Sequence, residues 1–130
     1  MIWNHWSLDR SVILYVGLAY IFIWIQVTMS HYRQNFHNKA MWGPVILAPL
    51  ICISSILCVL LNQNGWLLTS QISYWLGSLA GLAGFFFHTR GVGKRVGGYA
   101  LRNFLIGPPI ILPLLFSAIS ILGLIAVYGG

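Results

Sequence analysis

Acidic side chains are nearly missing from this sequence: Asp9 is the single Asp or Glu in 130 residues. General acid–base pairs and carboxylate-bridged metals each need at least two carboxylates, so hydrolytic and di-metal carboxylate chemistry are set aside. A proton-coupled exporter of the small four-helix kind falls with them, because it needs a carboxylate within the membrane to carry the proton. Charge of either sign is scarce, at 6% of residues against roughly 25% in a water-soluble domain. With 58% hydrophobic residues and a mean hydropathy of +0.83, the chain has to be solvated by lipid.

Cysteine is almost as rare. Cys52 and Cys58 lie in one apolar run, where helical geometry points them about 120° apart. No disulfide between them is expected, and no Cys-based zinc or iron–sulfur site can be assembled. They read as small apolar fillers.

What the sequence does have is long uncharged runs. No formally charged residue occurs between Lys39 and Arg90, and at about 20 residues per span this stretch holds two helices and a turn. The polar cluster Asn62-Gln63-Asn64-Gly65 supplies the turn. The predicted spans are 12–29, 45–61, 67–87 and 106–128. The third is diluted at its start by Thr69, Ser70 and Gln71. Each run is longer than a barrel strand and lacks alternating polarity, so helix is expected throughout. The first run exceeds a signal-peptide core and is followed by His31, Tyr32 and Arg33 without a cleavage pattern, so it is expected to be retained. The expected fold is an all-α membrane protein, a single domain of four transmembrane helices in an up-and-down bundle.

Basic residues set the expected orientation. Arg33 and Lys39 in the first loop share a side with Arg90, Lys94, Arg95 and Arg102 in the third, and only Arg10 faces them. Positive loops stay in the cytoplasm, which places both termini outside, as in a bacterial-type inner (plasma) membrane. Trp3, Trp6, Trp66 and Tyr128 would mark the outer interface, Tyr32 and Trp42 the inner one. The formal charge of +6 does not point to nucleic acid, because the cations sit in short loops and not on a separate folded surface. Lipid headgroups are the expected partners.

The third span carries Gly77, Gly81 and Gly84 among Ser78, Ala80 and Ala83. These overlapping small pairs predict close packing, against another span or a partner's helix. In the fourth span Pro108 suits a first helical position, and Pro113 is expected deep enough to bend the helix. No internal repeat is visible between the two halves.

Two stretches hint at chemistry. Gly91-Val92-Gly93-Lys94-Arg95-Val96-Gly97-Gly98 fits neither a phosphate loop nor a dinucleotide fingerprint. It is expected as a flexible basic loop on anionic headgroups, or as a docking surface for an acidic soluble partner. His31, His37 and His88 map to the cytoplasmic interface. Two imidazoles from different helices can hold a b-type haem, and three a divalent metal with an open position. Interfacial hydrogen bonding is the ordinary role of such residues. His5 lies on the opposite side. The segment 31–42 reads as a short surface helix able to roof a quinone or lipid pocket.

Two functions follow as expectations. One is a small non-catalytic membrane subunit or anchor, joined to other membrane subunits of a respiratory or redox complex through the glycine face and the basic loops. The other is a membrane redox protein or enzyme with haem, metal or quinone near His31, His37 and His88. A transporter for a small neutral or anionic solute, bending at Pro113, is a third.

Overall fold

The computed structural model describes residues 1–95, 97–106 and 109–130, the side chains of 95 and 106 excepted. The expectations for the Arg95 side chain, Gly107 and Pro108 lie outside the described residues. Those residues form five α-helices and no strand: α1 (Leu8–Arg33), α2 (Trp42–Leu61), α3 (Asn64–Arg95), α4 (Leu101–Ile106) and α5 (Ile111–Gly129).

Three segments are long and apolar enough to cross a bilayer: Leu8–Arg33, Lys39–Leu61 and Ile111–Gly129, with mean hydropathies of 2.0, 2.6 and 2.4. These are the marks of an integral membrane protein. α3 is the longest helix at 32 residues but is not among them. Its polar and small residues, which lower its hydropathy, are turned inward: Ser70, Ser73, Gly77, Ser78 and Gly81 are buried. Over its middle, the outward side chains are apolar, with Ile72, Leu76, Leu79, Leu82 and Phe86 all exposed.

Local chemistry sets the helix ends. Ser7 caps α1, accepting from the Arg10 amide, and Asp9 in the first turn complements the helix dipole. α1 stops after Arg33 because Asn35 and Phe36 turn left-handed, at φ 61 and 47. The expected surface helix over 31–42 is therefore replaced by this turn and a 3-10 turn over Lys39–Met41 capped by Asn38. Phe36 stacks on Trp42 with ring centroids 4.0 Å apart, which braces the reversal. α2 tolerates Pro49 in its interior and ends on a left-handed Asn62 whose amide bonds Cys58.

Two more expectations need correction. The glycine-rich stretch is not a loop from its start, since α3 runs through Gly91 to Arg95 with Val92 fully buried. At Gly93 a Cβ would strike the ring of Tyr99, so the glycine admits an aromatic side chain returning from the turn. Pro113 is not deep in its helix: α5 begins at Ile111, so Pro113 sits in the first turn, where the amide it lacks would have no partner. The bend it was expected to impose is not required.

The helices pack as two hairpins, α1 with α2 and α3 with α5, joined through α2–α3 and α1–α5. Val16, Tyr20, Ile51, Tyr74 and Phe116 form the main core. The glycine face of α3 is taken by α5. A Cβ at Gly81 would lie 2.6 Å from the Pro113 carbonyl oxygen and the Ser117 nitrogen, and one at Gly77 would meet Ser120. On the first hairpin, Gly17 lies equally close to Ser55 and Ile56 of α2.

Buried hydroxyls cross-link the hairpins. Tyr20 of α1 donates to the Phe116 carbonyl at 2.6 Å and meets Ser120 of α5, while Tyr74 of α3 bonds Ser55 of α2 at 2.6 Å. At one end of the bundle, Asn62 receives the Ile2 and Trp3 amides and donates to the Trp3 carbonyl. Gly130 abuts Asp9 there, so both termini and the α2–α3 turn gather at that end.

Candidate functional site

The opposite end is where α1 and α3 run out, each delivering a histidine. His31, in the last turn of α1, is only 4% exposed. The backbone of Met41 lies beside its ring, and its Nδ1 is buried without a hydrogen-bond partner. A buried unpaired polar atom costs about 1–3 kcal/mol, so it calls for an explanation. His88 on α3 is half-buried, and its Nδ1 pairs with the carbonyl of Pro109. A carbonyl can only accept, so Nδ1 carries the hydrogen and Nε2 is left with a bare lone pair. The two imidazoles meet edge to face, with ring centroids 6.4 Å apart.

They border a cavity of about 480 Å³, walled chiefly by apolar groups that include Met41, Pro44, Ala83 and Phe87. Arg90 and Lys94, both exposed, stand on its lining and make its mouth positive. A narrower void of about 30 Å³ continues inward past His31 and His88 to Pro113 and Phe116. The volume of the main cavity is that of a small-molecule site. Ala80, Ala83 and Gly84 present it with a nearly flat wall of α3.

The structure thus brings His31 and His88 together. His37 also lines the cavity, from an exposed position where its Nδ1 lies 3.1 Å from the Gln34 carbonyl. Among the described residues no three His, Cys, Asp or Glu side chains group closely enough to share a metal ion. Of the basic residues, Arg90 and Lys94 reach the cavity; Arg33, Lys39 and Arg102 are exposed elsewhere on this end. Gly84 lines the cavity, whereas Gly77 and Gly81 serve the α3–α5 contact. Cys52 and Cys58 are both buried and unpaired, and His5 is exposed.

Two short motifs, missed in the sequence analysis, occur in both halves of the chain. His31-Tyr32-Arg33 at the end of α1 recurs as His88-Thr89-Arg90 on α3, and Gly43-Pro44 with Pro49 recurs as Gly107-Pro108 with Pro113. The second connection is longer and contains α4, so the repeat has no fixed period, which hides it from a simple search. His31 and His88 are the members of these motifs that meet at the cavity. No family model, curated protein or solved structure matches this chain.

Proposed function

We propose that this chain is a four-span integral membrane protein that binds the head of a membrane amphiphile between His31 and His88. The observation that carries the reading is the buried, unpartnered Nδ1 of His31 on a cavity with apolar walls and a positive mouth. Such a wall suits a ligand that is part hydrocarbon and part polar head. The outward apolar face of α3 supports its counting as the fourth span, because Ser70, Ser73 and Ser78 turn into the bundle and away from lipid. The positive-inside rule, applied to Arg33, Lys39, Arg90, Lys94 and Arg102, puts the cavity at the cytoplasmic face of a bacterial-type plasma membrane and both termini outside.

The subunit or anchor reading has less support. Its docking surface was the glycine face, and α5 occupies that face, which leaves it the basic loops alone.

The test is to purify the full chain in mild detergent, extract it with organic solvent and identify what comes out by mass spectrometry. One amphiphile at near-stoichiometric yield is expected, strongly reduced in Ala83→Trp, which fills the cavity from an exposed position of α3. Equal, non-selective lipid carry-over in both proteins would rule the site out.

A further inference from the structure

We infer that the amphiphile is a lipid phosphomonoester, with its phosphate held by Arg90 and Lys94 at the mouth of the cavity; this rests on the amphiphile reading above and names the class of head. Arg90 and Lys94 are one helical turn apart on α3 and both stand on the cavity lining, so their charges add at one place. Neither has a carboxylate of the chain to pair with. The one acidic side chain, Asp9, is at the far end of the bundle, beside the C-terminal Gly130. The mouth therefore carries two positive charges whose counter-charge must come from outside.

The lining along α3 grades in one direction. Ala80, Ala83, Gly84 and Phe87 come first and the basic pair last, and the stripe from Ala80 to Lys94 is about 21 Å long. Hydrocarbon wall followed by cation is the order of an acyl chain and its anionic head. The turn after α1 adds Gln34 and Asn38 to the lining. The Asn38 side-chain oxygen already accepts from the Ala40 amide, which leaves its amide group as a donor for an anionic oxygen. The void leading inward past His31 and His88 is about 30 Å³, room for roughly one or two waters and not for a headgroup or a chain. The ligand is therefore held shallowly, with its head at the mouth and its hydrocarbon leaving along Ala83 and Phe87, which are exposed.

Charge and size select among lipids. A neutral head would leave both cations unbalanced. A phosphomonoester carries about −1.5 to −2 charges near neutral pH, which the pair balances, whereas the diester of an ordinary phospholipid carries roughly half of that. Arg takes phosphate oxygens through its planar fork and Lys as a point charge. A cavity of about 480 Å³ with chiefly apolar walls has few groups to satisfy the hydroxyls of a sugar or glycerol head, and a bare phosphate brings none.

The experiment adds phosphatidic acid to the purified full chain in mild detergent and counts retained lipid by native mass spectrometry, beside phosphatidylglycerol and phosphatidylcholine of the same acyl chains. One phosphatidic acid per chain is expected, at least about tenfold tighter than phosphatidylglycerol. Millimolar inorganic phosphate at constant ionic strength should not displace it, because a free anion lacks the hydrocarbon that the wall holds. Arg90→Gln and Lys94→Gln should each weaken retention about tenfold and erase the preference for the monoester. Arg33→Gln and Arg102→Gln, at exposed positions of the same end that do not line the cavity, should match the unaltered protein.

Equal retention of monoester and diester, or displacement by inorganic phosphate, overturns the inference. So does equal weakening in every variant, the mark of diffuse attraction to an anionic surface. If solvent extraction instead yields a neutral amphiphile that Ala83→Trp loses, the phosphate assignment fails and the amphiphile reading stands. If no lipid is selectively retained, both fall.

Discussion

Gly81 shows how much a single hydrogen atom can decide. Its missing side chain lets α5 approach until backbone atoms of Pro113 and Ser117 stand 2.6 Å from where a Cβ would be. Backbone of a packed helix cannot move aside cheaply, so Gly81→Ala is expected to destabilise by about 1–3 kcal/mol, and Gly81→Leu to prevent assembly. Leu79, 61% exposed on the same helix, is the control: Leu79→Ile should stay within about 0.5 kcal/mol. Thermal unfolding in detergent, read by size-exclusion recovery, checks the series; equal melting of Gly81→Ala and Leu79→Ile would contradict the packing. Gly81 was legible in the sequence because small residues at helical spacing have few other uses in a span. The orphaned nitrogen of His31 was not, because it depends on which groups stay away from the ring, and composition does not record that.

At the scale of the element, the sequence marked the cores of the helices better than their ends. Hydropathy finds the stretch that must face lipid, but the terminus is decided by capping and by neighbours. Gly91 to Arg95 stayed helical because Val92 has a buried seat to fill, and Pro113 became a first-turn residue because α5 starts only at Ile111. The expected surface helix failed at Asn35 and Phe36, whose left-handed turn has no hydropathy signature. The tyrosine cross-links between hairpins were equally hidden, since Tyr20 and Tyr74 look like ordinary apolar filler in a run of Leu and Ile. Hydrogen bonds between spans contribute about 0.6 kcal/mol on average and up to about 1.7. Tyr20→Phe and Tyr74→Phe should therefore each cost about 0.5–1.5 kcal/mol in unfolding free energy. Because the two bonds join different helix pairs, α1–α5 and α2–α3, the double variant should be close to additive. A double variant much more damaged than that sum would mean that the two bonds act as one network.

For the molecule as a whole, the proposed sidedness rests on counting basic residues in short loops, and a labelling experiment tests it. With Cys52 and Cys58 replaced by Ala, a cysteine at Asn64 or Gly130 is expected to react with an impermeant thiol reagent on intact cells. One at Lys39, at the histidine end of the bundle, should react only after permeabilisation; labelling of the Lys39 variant in intact cells would reverse the orientation.

The crossed tyrosines carry a further consequence for the order in which such a chain matures. Each hairpin holds one tyrosine and one serine hydroxyl whose mates are on the other hairpin, Tyr20 with Ser120 and Tyr74 with Ser55. A half chain left alone in lipid has unsatisfied hydroxyls and an incomplete cavity. The halves are thus complementary fragments: a gene severed within the turn at 62–65 should yield two peptides that find each other in the bilayer and restore the stability of the intact bundle, whereas either peptide produced alone should be cleared by membrane proteases.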